Sequence, residues 1–361
     1  MRDLVSALVR EDHETIYRLF VAGASARQLP PPPAANFDWR PTPLNPRWLA
    51  RLWHRLHLNI PVEVFTGDIH LYHATDFVLP PTRPQTRTVL QVHDLSFVRV
   101  PEAAEPRLKA YLDRVVPASV RAADHVLADS QATRNDLIEL YTVPPEKVTV
   151  LYGGVDRRFG PVEDSQVAIV RQKYNLGTFP FIFSLGTVQP RKNYGRLIEA
   201  LARLREGGLD VHLVIAGGRG WLEDPIYATI EAVEMQDFVH FIGFVDEADL
   251  AALYSASVCF AFPSLYEGFG LPVLEAMACQ TPVLTSNVSS LPEVAGDAAL
   301  QVDPYAVDAI TASLGTLLTD SPLREVLVQR GLAQVKKFDW QASAAQLHQI
   351  YQNVLDDTKF T

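Results

Sequence analysis

Glu267 and Glu275 stand eight residues apart in "PSLYEGFGLPVLEAMACQTPVLTSN" (263–287), on either side of a Gly-Phe-Gly-Leu-Pro turn. An apolar, strand-like run precedes the turn, and helical spacing follows from about Pro272. Proline fits the first turn of a helix because its missing N–H needs no partner there. A helix start presents unpaired backbone N–H groups and the positive end of the dipole. Glycines before it let a ligand approach the backbone closely. Together these make an anion site, most naturally for phosphate. Glu267 falls in the turn, and Glu275 about one turn into the helix, too deep to be a cap. Two carboxylates repel a phosphate, so they need another task. Accepting hydrogen bonds from sugar hydroxyls is one, and the ligand is then a nucleotide sugar. A solvated glutamate pair beside an ordinary tight turn is the alternative that spacing leaves open.

Other candidates also follow apolar runs. Arg191 and Lys192 come after "FIFSLG" (181–186) and before a helical stretch that Asn193 is expected to cap. A bidentate guanidinium beside a point-charge ammonium suits a diphosphate; a solvated charge pair is the plain alternative. His93 and Asp94 follow "RTVLQV", where a lone histidine is usually structural. Ser130 opens a helix after "HVLADS", and N-capping by itself explains a serine there. No Asp-X-Asp pair, Walker-type loop, Gly-X-Ser-X-Gly elbow or metal-ligand cluster occurs, so neither metal nor cofactor is expected.

Short apolar runs and helical patterns must position these residues. In the second half, "FIFSLG", "DVHLVIAGG", "FVHFIGF", "SVCFAFPS" and "TPVLTSN" read as strands. Segments near 193–207, 222–235, 246–256 and 271–280 carry helical spacing. Such alternation implies a parallel sheet with helices on both faces. The first half repeats the theme more loosely, in "TIYRLFVAG", "IHLYHAT", "RTVLQVHD", "HVLADS" and "KVTVLYGG". The expected fold class is α/β, two doubly wound domains over 1–155 and 156–340. "GGVDRRFGPVED" (153–164) is the expected hinge, and an amphipathic helix in 341–361 follows the second domain and is a candidate to cross back to the first. The proline-rich stretch 28–46 is expected to be irregular.

Of the 361 residues, 48% are hydrophobic and 20% charged, enough for a sizeable core. The net charge of −10 arises after residue 155, where 15 basic residues meet 25 acidic ones. Neither half is basic enough to suggest nucleic acid as partner. No apolar run is long enough to span a membrane, and the first residues do not read as a secretory signal. Cys259 and Cys279 fall in apolar stretches and read as buried thiols in a reducing, cytoplasmic setting. In "PRWLARLWHRLHL" (46–58), Arg47, Arg51 and Arg55 recur every four residues opposite an apolar side. Packing on the first domain is one reading; docking on anionic lipid at the inner face of the membrane is the other.

The motif "EGFGLPVLE" resembles the Glu-X7-Glu motif of retaining GT-B glycosyltransferases of family 4, group 1, which includes many mannosyl- and glucosyltransferases. "VHDLSF", "ADHVLADSQATRNDL", "KVTVLYGGVDRRFGP", "SLGTVQPRKNYGRLIEAL", "LVIAGGRGW" and "SSLPEVAGDAALQVDP" extend the resemblance over nearly the whole chain. It implies two Rossmann-like domains facing a cleft, and transfer of a hexose from a nucleotide diphosphate sugar to a glycan or lipid-linked acceptor. Glu275 matches the ribose-binding glutamate and Glu267 the one that contacts the donor hexose. Phe269, Gly270 and Leu271 match backbone donors to hexose and phosphate, and Lys192 the diphosphate-binding lysine. Where many relatives carry an arginine this chain has Thr187, so Arg191 is expected to supply that charge. Gly186 belongs to the same donor loop, Gly243 and Val245 match the nucleobase loop, and His93 matches the first-domain histidine. Asp94 and Ser130 complete the expected first-domain contacts. Relatives with Pro-Arg-Lys-Asn often act on surface polysaccharide or lipid-linked glycans. Retention there is viewed as front-face displacement, without a protein nucleophile.

One departure concerns "MRDLVSALVRED", which reads as the family's first helix without the strand and glycine-rich loop that precede it. On that reading the 361-residue form binds nucleotide and transfers poorly. A nucleotide-sugar epimerase and a non-catalytic nucleotide-sugar-binding protein are the alternatives, separable by product analysis.

Overall fold

A computed structural model describes residues 1–56 and 58–356. His57, within the 46–58 stretch, and the last five residues of the expected C-terminal segment lie outside the described residues. Twelve strands are described: β1 (Tyr17–Ala22), β2 (Phe37–Thr42), β3 (Leu71–Ala74), β4 (Arg87–Val92), β5 (His125–Ala128), β6 (Val148–Val150), β7 (Phe181–Leu185), β8 (His212–Ala216), β9 (Val239–Gly243), β10 (Cys259–Phe262), β11 (Val283–Ser286) and β12 (Leu300–Val302). Every pairing among them is parallel.

The chain divides into two units. The first comprises residues 1–93, 110–152 and 340–361, and the second residues 94–109 and 153–339. Segment 94–109, expected in the first domain, belongs to the second unit. Apolar burial explains this: Val100 and Ala103 form a buried cluster with Leu265 and Tyr266. The Trp221 indole N–H also donates to the Ala103 carbonyl at 2.9 Å.

The second unit holds one six-stranded sheet in the order β12-β11-β10-β7-β8-β9. Its central strands are buried on both faces, which is why "FIFSL" and "CFAF" read as continuous apolar runs. Helix Tyr194–Glu206 buries Leu197, Ile198, Leu201 and Leu204 into the same core as Ile182, Leu213 and Ile215. Strands β7 to β9 run outward on one side and β10 to β12 on the other. The order therefore reverses between β7 and β10, and such a switch opens a crevice at the carboxyl ends of the strands.

The first unit holds a four-stranded sheet, β3-β4-β5-β6, and a two-stranded one, β1-β2. Helix Arg2–Glu11 buries Leu4, Ala7 and Leu8 in one cluster with Leu347, Ile350 and Val354 of helix Trp340–Leu355. The Tyr351 hydroxyl lies 2.7 Å from His73 Nδ1. Burial takes the His73 imidazole down to about 4.

Two local expectations fail. The stretch 28–46 contains β2, whose Pro41 lies opposite Val21 of β1. Because β2 pairs on one side alone, its outer N–H positions need no ladder partner and proline is tolerated. The 46–58 helix is not regular: an α-helical turn, Pro46–Ala50, gives way to a π-helical one, Arg51–Arg55, closed by Leu56 N–H to the Arg51 carbonyl at 2.8 Å. The wider turn breaks the four-residue spacing of the arginines.

Leu347 is completely packed between the terminal helices and the sheet. Leu347→Ala should therefore cost about 2–5 kcal/mol, by lost transfer energy plus the cavity left behind. Urea unfolding followed by circular dichroism measures it; a loss below 1 kcal/mol would mean that this core is not set by the helix pair.

Candidate active site

The loops after β7 and β10 leave neighbouring strands at the switch point, so their residues meet. Arg191 and Lys192 form a short 3-10 turn, Pro190–Lys192, and Glu267 lies in the loop after β10. Arg191 Nη1 donates to Glu267 Oε2 at 2.6 Å, and Lys192 Nζ to Oε1 at 2.7 Å. One carboxylate thus bridges two cations. Arg191 Nη1 also donates to the Tyr266 carbonyl at 2.8 Å, and Leu265 N–H to the Arg191 carbonyl at 2.8 Å. The Lys192 ammonium stands 4.5 Å above the Phe262 ring.

Burial alone would push the Glu267 carboxyl up, but Lys192 and Arg191 reverse that and hold it at about 2. Burial lowers the Lys192 ammonium, with Glu267 opposing the fall. Arg191 is raised against its own burial by Glu267 and Asp94. Asp94 thus acts on both cations from segment 94–109, while its Oδ1 accepts the Ser96 N–H at 2.7 Å.

Gly270 is the residue before helix Leu271–Ala278, at φ 124°, with Leu291 Cδ2 at 2.9 Å from where a Cβ would stand. Only glycine fits there. Phe269 is buried edge-on against Phe338 at 5.5 Å. Glu275 lies in this helix, where the buried Tyr254 hydroxyl donates to its Oε2 at 3.0 Å. Gly186, at φ 147°, has Lys192 Cε 2.8 Å from its Cβ position, so the lysine stem runs where a side chain would be. Gly243 ends β9 at φ 72°, and Val245 is buried just beyond it.

In the first unit, His93 Nδ1 lies 2.9 Å from Asp129 Oδ2 and Nε2 lies 3.0 Å from the Thr75 carbonyl. Burial lowers the imidazole, but the Asp129 carboxylate outweighs it and raises the net value. Ser130 is fully buried, and its Oγ accepts the Thr133 N–H at 3.0 Å. It caps the helix, the role that a serine at a helix start suggests by itself. Asn193 departs from expectation. Its side chain does not cap the helix. From a left-handed backbone it donates to the Pro263 carbonyl at 2.9 Å and the Pro304 carbonyl at 2.7 Å.

Three supporting residues escaped sequence reasoning. Ser290 is fully buried, and its hydroxyl is 2.9 Å from the Glu267 carbonyl and 2.6 Å from that of Phe269. Ser289 Oγ accepts the Glu267 N–H at 3.0 Å. Tyr254 is the third. The serines sit in "SSLPEV", which the resemblance marked as a motif; Tyr254 gave no signal beyond an apolar helix face. Among the described residues no group of three or more His, Cys, Asp or Glu side chains could share a metal ion.

Two paired cations beside a helix start can stabilise a diphosphate, and the carboxylates can accept hydroxyl hydrogen bonds. Comparison with known proteins agrees in kind. Residues 167–334 match the model described as Glycosyl transferases group 1, and residues 1–159 that of Glycosyltransferase Family 4. An O-antigen chain mannosyltransferase B of Escherichia coli is 36% identical over 78% of this chain and 74% of its own length. The chain is a group 1, family 4 glycosyltransferase. In fold, this glycosyltransferase is similar to sucrose-phosphate synthase from Thermosynechococcus elongatus, with TM-score 0.78, 22% identity, and coverage of 99% of this chain and 93% of that one. It is also similar to Anabaena Alr3699/HepE, solved in complex with UDP and glucose, with TM-score 0.72, 19% identity, and coverage of 97% and 95%. The architecture is GT-B.

Glu267 has a depressed carboxyl in the folded glycosyltransferase, so its ion pairs stabilise the fold above the ordinary value and are lost as pH falls. The window runs from 4.5 down to about 2. Urea unfolding at stepped pH should show wild type more stable than Glu267→Gln near neutrality, with the gap closing across that window. A gap independent of pH would mean the carboxylate is not held by the two cations.

Proposed function

We propose that this glycosyltransferase is a retaining enzyme that moves a hexose, mannose first and glucose second, from a nucleotide diphosphate sugar to a glycan or lipid-linked acceptor. The observation that carries the reading is the Arg191–Glu267–Lys192 cluster beside the helix start at Leu271. The mannosyltransferase relative supports the sugar, and the neighbour solved with UDP and glucose supports the class of donor.

When the bond between the anomeric carbon and the diphosphate breaks, negative charge grows on the phosphate oxygens. Arg191 and Lys192 are already in place to stabilise it, so little reorganisation is needed. The donor diphosphate takes the cations from Glu267, whose carboxylate then accepts hexose hydroxyls. Backbone N–H groups at Phe269, Gly270 and Leu271 bind hexose and phosphate, with Gly186 giving the diphosphate close access. Glu275, oriented by Tyr254, takes the ribose, and Gly243 and Val245 border the base. His93 contacts the donor sugar. No protein nucleophile is assigned.

Product analysis with GDP-mannose, UDP-glucose and other nucleotide diphosphate sugars tests the reading. A glycosylated acceptor with retained anomeric configuration is expected; an epimerised donor or no product overturns it. Glu275→Ala should weaken donor affinity about tenfold or more, since a hydrogen bond to a charged group contributes roughly 1.5–3 kcal/mol. Arg191→Ala and Lys192→Ala should slow turnover more than they weaken binding of the free nucleoside, because the charge they meet grows in the transition state. Equal effects on both would leave them as binding groups only.

We also infer a cytoplasmic place at the inner membrane face, reached through 46–58. No helix among the described residues is long and apolar enough to cross a membrane. Leu49 is buried and Trp53 anchored, but Trp48 is 56% exposed and Leu56 59% exposed, with Arg51 stacked 4.8 Å from the Trp48 ring. An outward indole flanked by guanidinium suits an anionic interface. Co-sedimentation with vesicles should require anionic lipid and weaken in salt. Absence of binding at low salt would reduce this stretch to a packing element.

A further inference from the structure

A cavity of about 580 Å³ lies in the first unit, at the end of the four-stranded sheet opposite His93. Its walls include Arg87 at the start of β4, Asp124 just before β5, the turn at Trp53 and His54, and the proline-rich stretch 79–84. Substrates of doubly wound sheets bind at the carboxyl ends of the strands, whereas this cavity opens at the amino ends. At roughly 3.3 Å per residue, the length of β4 puts it about 20 Å from His93. It is therefore a separate place from the candidate active site.

Its chemistry is that of an anion site. Arg83, Arg87 and Arg114 line it against the single carboxylate of Asp124. That carboxylate is already engaged: Oδ2 accepts the Thr88 N–H and hydroxyl, both at 2.7 Å, and Oδ1 lies 3.3 Å from Arg87. Arg83 pairs with Asp68, whose side chain is 89% exposed. Such a surface pair is worth little and gives way to a better anion. Arg114 carries no ion pair among the described residues. Two guanidiniums are thus available, and their planar forks match phosphate oxygens.

The rest of the wall suits a ring. The Trp53 indole is fixed by its N–H to the Ile60 carbonyl at 2.8 Å and by edge contact with Phe65 at 6.1 Å. His54 packs edge-on against Tyr111 at 6.4 Å. Prolines in the rim keep the cavity formed before a ligand arrives, which lowers the ordering cost of binding. The volume falls within the roughly 300–1,000 Å³ of small-molecule sites.

We propose that this cavity is a second ligand site of the glycosyltransferase, for a phosphorylated sugar or polyol, with the phosphate held by Arg83 and Arg114 and the ring against Trp53. The same chemistry occurs in a free sugar phosphate and in a phospholipid headgroup. The test is calorimetric titration of the full chain with mannose 6-phosphate, with inorganic phosphate and mannose as separate controls. Saturable binding is expected, tighter than either control. Arg83→Ala and Arg114→Ala should each weaken it about tenfold or more, the cost of a lost charge-assisted bond, while circular dichroism and nucleoside diphosphate affinity stay unchanged. Vesicles containing phosphatidylinositol distinguish the sources: displacement of mannose 6-phosphate assigns a headgroup, and no displacement assigns a free ligand. No saturable binding, binding of equal strength in the double variant, or displacement by nucleoside diphosphate would overturn the proposal. Binding is read directly, so a failure of the proposed transfer reaction leaves this result interpretable.

Discussion

Burying a carboxylate at Glu267 sets the terms for the structure around it. With 8% of its surface exposed, this residue needs paired cations, because an uncompensated buried charge costs several kcal/mol. Both cations come from one neighbouring loop, at consecutive positions, and reach separate oxygens. They do so only because β7 and β10 are adjacent in the sheet although more than seventy residues separate them in sequence. The reversal of strand order between them is thus a requirement of the ion cluster as much as a property of the fold.

The surrounding hydrogen bonds serve the same end. Asn193 ties the loop after β7 to Pro263 and Pro304, and Ser290 fixes the carbonyls on both sides of Gly268. Each holds backbone whose displacement by an ångström would separate charges that lie at 2.6 to 2.7 Å. The consequence is a pair of cations held at fixed positions and only partly compensated by the one carboxylate. Glu275 accepts from a neutral buried phenol, which helps to orient its carboxylate.

These differences explain what could be read from sequence. Arg191, Lys192 and Glu267, which the fold brings together, could be singled out because a glycine turn, a helix start and consecutive cations leave local signals; that one carboxylate bridges both cations could not be, because it depends on the pairing of β7 with β10. The second sheet was legible because buried parallel strands are continuous apolar runs. Strand β2 was not, because an edge position relaxes the rule against proline that marked 28–46 as irregular. The π-turn at Arg51–Arg55 was hidden because amphipathic spacing does not reveal one extra residue per turn. Segment 94–109 was misassigned because Val100 and Ala103 find their apolar partners, Leu265 and Tyr266, far along the chain. Asn193 departs from the expected cap because a short polar side chain satisfies whichever backbone group tertiary packing leaves open, whereas the Ser130 cap is the local role its place at a helix start suggests.

Besides the Ser130 cap, the first unit carries His93 among the residues expected at the site. Its two ring nitrogens both face acceptors, the Asp129 carboxylate and the Thr75 carbonyl. A neutral imidazole has one donor, so it would leave one nitrogen lone pair against an oxygen. The protonated ring satisfies both, which is the geometric counterpart of its raised proton affinity. The two contacts are not equal. The one to Asp129 is charge-assisted, and Gln91 donates to the other oxygen of that carboxylate. The one to Thr75 is to a neutral carbonyl on the exposed side of a ring that is 39% accessible. Nε2 is therefore the more readily released nitrogen, and Nδ1 the one that keeps the ring in place.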